Sequence, residues 1–118
     1  MAEESKLIQS ILTSTKKSLG LTEDYEVFDP VIVMHINSVF AILNQLGVGP
    51  ESPYMIEGKE ETWEDFIAQE NTENVRSYMF LKVKSLFDPP STATMNEVYE
   101  RAIQEAEWRL TVAADPED

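Results

Sequence analysis

The sequence predicts an all-α fold: a four-helix domain with a long loop and a short helical turn between helices 2 and 3. Every long segment spaces its apolar residues with a helical period, and no segment alternates apolar and polar residues as a half-buried strand does. Gly or Pro follows each of the first three periodic segments and ends them. At 118 residues, we expect a single domain over residues 1–118.

Helix 1 is predicted from about residue 4 to residue 19, and Gly20 ends it. Helix 2 lies within the stretch FDPVIVMHINSVFAILNQLGVGP. Asp29 is predicted to be its N-cap, because the side chain can accept a backbone N–H of the first turn, and Pro30 suits the first helical position. Gly47 is the predicted stop. One face of this helix is apolar: Ile32, Ile36, Val39, Phe40, Leu43 and Leu46.

A long loop follows, from residue 47 to about residue 61. The stretch TWEDFIAQ then predicts one or two helical turns, in which Thr62 is the cap and Asp65 holds the capping-box position. Two large side chains of this turn, Trp63 and Phe66, are predicted to clamp the long loop onto the core.

Helix 3 is predicted from Thr72 to Phe87, and DPP at residues 88–90 ends it. Its main apolar stripe is Val75, Met79, Val83 and Leu86. Leu81 points nearly opposite this stripe, and Tyr78 flanks it. Because a helix with apolar groups on two sides is usually central or buried at an interface, Tyr78 and Leu81 are candidate contacts with another subunit or partner.

Helix 4 is predicted to begin with the capping box TMNE at residues 94–97. Its stripe is Met95, Tyr99, Ala102, Ile103, Ala106 and Leu110. Trp108 lies about 180° from this stripe at 100° per residue. With Val112 it is a second candidate partner contact, since tryptophans dominate interface energetics; packing of Trp108 under a loop of the same chain is an equally weighted alternative. The end of the chain, from about residue 112 to residue 118, is expected to be a flexible acidic tail.

No group of residues predicts catalysis, a cofactor or a metal ion. The chain has no Cys and a single His, which argues against a zinc site, and no segment has the ligand spacing of an EF-hand. His35 has Ser38 three residues later, but this helical pair lacks an oxyanion pocket. The acidic pair at Glu60 and Glu61 is interpreted as a solvated surface. We therefore expect no enzymatic activity and no cofactor.

The formal net charge of −13 argues against binding to nucleic acid or to an anionic membrane. An acidic surface that lines a channel would instead let DNA pass without binding it, while plain solubility is the more common reason for acidity. The sequence has no apolar run of the roughly 20 residues that span a bilayer, and MAEESK does not predict a signal peptide. We expect a soluble protein that is made in a reducing cytoplasm.

Four blocks of the sequence occur together: FDPVIVMHINSVFAILNQLGVGP, TWEDF, VRSYMFLKVKSLFDPP and EAEWRL. In order and spacing they resemble the head–tail connector (adaptor) proteins of siphophages and prophages. The resemblance covers the chain from helix 1 to about Leu110.

The resemblance implies a virion component without enzymatic activity, made in the bacterial host cytoplasm and located at the head–tail junction. Its implied partners are other copies of the chain in a homo-oligomeric ring, the portal protein above, and the next neck or tail protein below. DNA would pass through the lumen without specific binding, and no membrane is involved. By the same resemblance His35, Asn37 and Ser38 would serve helix packing or subunit contact.

Two alternatives stay open at this point. One is a tail-completion or other neck protein that contacts the tail instead of the portal. The other is an acidic inhibitor that imitates DNA and blocks a host protein, although its carboxylates would have to follow one surface and here they are scattered.

Overall fold

The computed structural model describes residues 10–67 and 72–114 of the chain. Over these residues the all-α prediction is confirmed: the backbone forms helices and no strand, apart from an isolated bridge between Ser10 and Thr62. The helices are α1 (Ile11–Ser18), α2 (Asp29–Gln45), α3 (Trp63–Phe66), α4 (Thr72–Phe87) and α5 (Ala93–Ala114).

Helix α1 begins later than the predicted start at residue 4. Ser10 has an extended backbone, with φ −62° and ψ 129°, and its hydroxyl accepts the backbone N–H of Thr13 at 3.2 Å. Ser10 is therefore the N-cap of α1, and the helix does not continue through it. The same hydroxyl donates to the carbonyl of Lys59 at 2.8 Å, which joins the start of α1 to the long loop. The predicted helical residues 4–9 lie outside the described residues.

Helix α2 begins with Asp29 at its first helical position, so the prediction that Asp29 is the N-cap is wrong. Phe28 holds the cap position and makes no side-chain cap bond. The Asp29 carboxylate instead forms an ion pair with the ammonium of Lys16 at 2.9 Å. This ammonium also donates to the carbonyl of Glu23 at 2.8 Å. The pair links the end of α1 to the start of α2.

Helix α4 is central in the fold and packs against α1, α2 and α5. The predicted apolar face of α2 is confirmed as core for all but its last residue, since Leu46 is only partly buried. Leu86, the last residue of the predicted α4 stripe, is exposed in the final turn of that helix. The buried cluster around α4 contains Ile11, Ile32, Ile36, Val39, Phe40, Leu43, Trp63, Val75, Met79, Val83, Ile103 and Leu110.

Helix α3 is short, and hydrogen bonds hold its N-terminal end in place. Its predicted capping box is confirmed: the Thr62 hydroxyl accepts the N–H of Asp65, and the Asp65 carboxylate accepts the N–H of Thr62 at 3.0 Å. Trp63 is buried, and its indole N–H donates to the hydroxyl of Ser14 at 2.9 Å. This bond ties α3 to α1.

Phe66 lies between the long loop and α2. Its ring centre is 4.6 Å from that of Phe40 on α2 and 5.5 Å from that of Tyr54 in the loop. Gly49 has a φ of +91°, and a Cβ atom there would lie 2.5 Å from the Phe66 ring. Only glycine fits this backbone and this close approach.

Asn37 fixes the loop from the side of α2. Its side-chain amide donates to the carbonyl of Ile56 at 3.0 Å and accepts the N–H of Ile56 at 2.8 Å. Both backbone groups of a buried loop residue are thereby satisfied by one side chain. Asn37 thus holds the loop of its own chain.

Helix α5 is capped by Thr92, whose hydroxyl accepts the N–H of Met95 at 3.1 Å, and not by Thr94 as the sequence pattern predicted. The helix continues through Ala114, three residues into the segment that was expected to be a flexible tail. Residues 115–118 lie outside the described residues. Among the helices described, none combines the length and the apolar character that a membrane crossing requires.

Candidate subunit-contact surfaces

One exposed apolar surface lies on α5. Trp108 and Val112 are one turn apart on the side opposite Ile103 and Leu110, the buried residues of this helix. Their side chains are 66% and 42% exposed, so Trp108 does not pack under a loop of the described chain. Arg101 is exposed two turns before Trp108 on the same side. We define Arg101, Trp108 and Val112 as the tryptophan face; its contact with a partner stays a prediction.

The other predicted pair, Tyr78 and Leu81, is separated by the fold. Tyr78 is fully buried, and its hydroxyl donates to the carboxylate of Glu107 at 2.7 Å. The predicted contact of Tyr78 with another subunit or partner is therefore corrected: α5 covers that side of α4, and Tyr78 packs within its own chain. Leu81 is partly buried and lines a shallow groove between α4 and α5, beside Ser77 and Ala102. A partner contact at Leu81 stays a prediction.

The buried phenol of Tyr78 gives a pH-dependent prediction. Burial raises its pKa above the usual value of 10, and the hydrogen bond to Glu107 and the charge of that carboxylate raise it further. Because the folded pKa is the higher one, this stabilisation is complete below pH 10 and is lost as the pH rises beyond it. We expect Tyr78→Phe to lower the free energy of unfolding by about 1 kcal/mol at pH 7. We also expect it to flatten the decline of stability between about pH 10 and 11.

Urea denaturation followed by circular dichroism at pH 7 and in this alkaline range measures both effects. Tyr54, whose pKa is raised to about 12 chiefly by burial and also by Asp65 and Glu61, still titrates in the variant. We therefore expect the alkaline decline in the free energy of unfolding to be smaller in Tyr78→Phe but still present. If the free energy of unfolding falls with pH equally in the natural protein and in Tyr78→Phe, the assigned role of Tyr78 is contradicted.

A second exposed apolar surface precedes and enters α2, and the sequence analysis missed it. Val27 and Met34 are 68% and 57% exposed. The Phe28 ring meets the ring of Tyr25 edge-on at 5.8 Å and that of Phe87 at 5.2 Å, which fixes its orientation. We define Tyr25, Val27, Phe28, Val31 and Met34 as the α2 edge.

A sequence signal for this surface exists. The segment from Pro30 to Pro50 contains no Asp, Glu, Lys or Arg, in a chain with 22 acidic and 9 basic residues. A helix without charge on any side is expected to be covered on every side. Its solvent-facing residues in this chain include Val31, Met34, Ser38 and Ala41, and none of them is charged. The uncharged outer side of α2 therefore continues the α2 edge.

Charged residues border both surfaces. The α2 edge is flanked by Glu23, Asp24 and Glu26, all of which are exposed. On α5, Arg109 pairs with Glu105 of its own helix at 2.7 Å. Arg101 has no such ion pair among the residues that the structure describes. Glu97 and Glu105, one turn on either side of Arg101 in α5, are also exposed, so acidic residues border both surfaces.

His35 is partly buried on α2, and its neighbour Ser38 is exposed. In residues 10–67 and 72–114 there is no group of three His, Asp or Glu side chains placed to hold a metal ion. The arrangement of the described residues is suited to contact with other proteins through the two apolar surfaces.

Comparison with known protein families gives a match. The model of a family described as "Phage connector protein" matches residues 11–117, a range that includes all of α1 to α5. No curated protein and no solved structure matches the chain.

Proposed function

The chain belongs to the phage connector protein family, and we propose that it forms a homo-oligomeric ring beneath the portal protein of the capsid. Membership of this family supports a structural role at the junction of head and tail. In the proposed assembly, the ring continues the DNA channel of the portal and presents its far side to the next neck or tail protein.

The observation that carries the ring proposal is the pair of exposed apolar surfaces on one chain. Subunits of a ring meet head to tail, so each subunit needs two different and complementary surfaces. The tryptophan face and the α2 edge belong to different helices, α5 and α2, and α4 packs against both. Exposed apolar surfaces of this kind are usually covered in an assembly.

The net charge of −13 supports the proposed passage of DNA. A lumen lined with carboxylates repels the phosphate backbone and releases no counterions on contact, so DNA gains no binding free energy from it. The ring would then conduct DNA without holding it.

The test adds the purified chain to tailless, DNA-filled capsids of the parent phage and images the portal vertices by cryo-electron microscopy. We expect ring-shaped density below the portal that is absent when the chain is omitted. Bare vertices, with a chain that circular dichroism shows to be helical, would overturn the proposal. Ring density on isolated tails but not on capsids would identify a tail-side neck protein instead.

A further inference from the structure

We infer that residues 22–28, in the connection between α1 and α2, form a latch that opens and closes as one unit while the helices stay folded. The buried ammonium of Lys16 closes this latch. The inference does not depend on the proposed ring. It rests on how few contacts hold these residues and on the charges that lie beneath them.

Every residue of the latch is exposed. Its internal hydrogen bonds close turns: the N–H of Tyr25 donates to the carbonyl of Thr22 at 3.2 Å. The N–H of Asp29, at the start of α2, donates to the carbonyl of Glu26 at 3.1 Å. A segment with little buried apolar area and exposed, short-range hydrogen bonds opens at a low free energy, without unfolding of the rest of the protein.

Among the described residues, one hydrogen bond and one ring contact join the latch to helices other than α2. The Lys16 ammonium, on α1, donates to the carbonyl of Glu23 at 2.8 Å. The ring of Phe28 meets that of Phe87, in the last turn of α4, edge-on at 5.2 Å. Opening of the latch has to break only these two attachments.

The long loop, residues 47–61, is held at more points. Asn37 bonds both backbone groups of Ile56, and Ser10 donates to the carbonyl of Lys59. The ring of Phe66 packs against this loop from α3. We therefore assign the local opening to the latch and not to the long loop.

The charges beneath the latch keep the free-energy difference between its two states small. The Lys16 side chain is 3% exposed, and the buried Asp29 oxygen, 2.9 Å from the ammonium, has no hydrogen bond of good geometry. Closing removes water from both charges, and this cost offsets much of their attraction. Because the Glu23 carbonyl contacts the ammonium, moving the latch away admits water again. We expect about 1% of the molecules to be open.

The latch carries three residues of the α2 edge: Tyr25, Val27 and Phe28. When it is closed, the Phe28 ring is fixed by its contacts with Tyr25 and Phe87. When it is open, these side chains lose that fixed orientation. Lys16, a buried residue of another helix, thereby sets the conformation of a surface to which it does not belong.

Hydrogen exchange of the intact, folded chain in increasing urea tests the inference, with nuclear magnetic resonance resolving single amides. An open fraction of about 1% slows exchange of the Tyr25 and Asp29 amides about a hundredfold relative to an unstructured peptide. We expect these two rates to be independent of urea at low concentrations, because opening exposes little new surface.

Two buried residues of α4, Met79 and Val83, provide the comparison. Their amides are expected to exchange far more slowly, through global unfolding, which urea promotes. The same urea dependence at Tyr25, Asp29 and these two amides would overturn the inference, since the connection would then open only with the whole protein. Absence of protection at Tyr25 and Asp29 would overturn it as well.

Lys16→Met removes the group that closes the latch. We expect it to speed exchange at Tyr25 and Asp29 in low urea by at least tenfold, because a hydrogen bond from a charged donor and an ion pair are lost. Lys17→Met, at the exposed neighbouring position, is the matched control and is expected to leave both rates unchanged. Equal acceleration in the two variants, or none in Lys16→Met, would contradict the role of Lys16.

Phe87→Ala removes the other attachment and keeps the test decisive if Lys16→Met does not fold. We expect it to speed exchange at Tyr25 and Asp29 about fivefold, because the edge-on pair with Phe28 is lost. Leu86→Ala, at the exposed position just before it, is the matched control. Acceleration by Phe87→Ala that is no greater than that by Leu86→Ala would contradict the latch.

Discussion

Replacing Trp63 with alanine is expected to lower the free energy of unfolding by about 4 kcal/mol. The side chain is 1% exposed, and its indole N–H donates to Ser14 at 2.9 Å. Its ring meets Phe80 edge-on at 6.0 Å, and the guanidinium of Arg76 lies 5.8 Å from its centre. Truncation would leave a cavity between α1, α3 and α4 and would remove the N–H that donates to the buried Ser14 oxygen, whose own O–H still donates to the carbonyl of Ser10.

The second tryptophan supplies the matched control. Trp108→Ala removes the same side chain from an exposed position, so we expect a change within about 0.5 kcal/mol. Urea denaturation followed by far-ultraviolet circular dichroism compares the two without relying on tryptophan fluorescence. Trp63→Phe, which keeps a ring but loses the hydrogen bond, is expected to fall between them at about 2 kcal/mol. Equal losses in Trp63→Ala and Trp108→Ala would contradict the assigned burial.

The sequence predicted those features that depend on one helix or one turn at a time. Helical spacing alone was enough to orient Trp108 away from the core, and the local Thr62–Asp65 capping box was found from its spacing. Glycine stops were also found, since Gly20 and Gly47 have φ values of +83° and +84°. These features require no knowledge of how the helices pack against one another.

Two of the predictions that failed depend on contacts between elements. Tyr78 was predicted to contact another subunit or partner because its helix has two apolar sides, but α5 covers it, and its hydroxyl donates a hydrogen bond to Glu107 of that helix. Ser10 lies in an apolar-periodic segment, yet its contact with Lys59 in the loop selects it as the N-cap. The apolar periodicity of one helix contains no information about such partners, which lie 29 and 49 residues away in the chain.

The α2 edge was missed for a different reason. The apolar stripe of helix 2 identifies the core face and gives no information about the residues outside that stripe. Val31 and Met34 are apolar on that outer side, and the uncharged segment around them was the available signal. Its position beside Phe28 and Tyr25 became evident only from the packing of the α1–α2 connection.

Lys16→Met is expected to lower the free energy of unfolding by about 3 kcal/mol. The Lys16 side chain is 3% exposed, and its ammonium lies 2.9 Å from a buried Asp29 oxygen that has no hydrogen bond of good geometry. Charge attraction is therefore the main link between them. Methionine keeps the apolar stem but leaves the carboxylate without its cation and the Glu23 carbonyl without its donor. The cost is large because the lost ammonium is buried and has two partners, the Asp29 carboxylate and the Glu23 carbonyl.

Lys17→Met is the matched control, since Lys17 is the next residue in α1 and is exposed. We expect it to change stability by no more than about 0.5 kcal/mol. Asp29→Asn removes the charge that Lys16 compensates, so the double variant Lys16→Met/Asp29→Asn is expected to lose less than the sum of the single losses. The difference measures the coupling of the pair in urea denaturation. Additive losses, or equal losses in Lys16→Met and Lys17→Met, would show that this ion pair does not hold α1 against the start of α2.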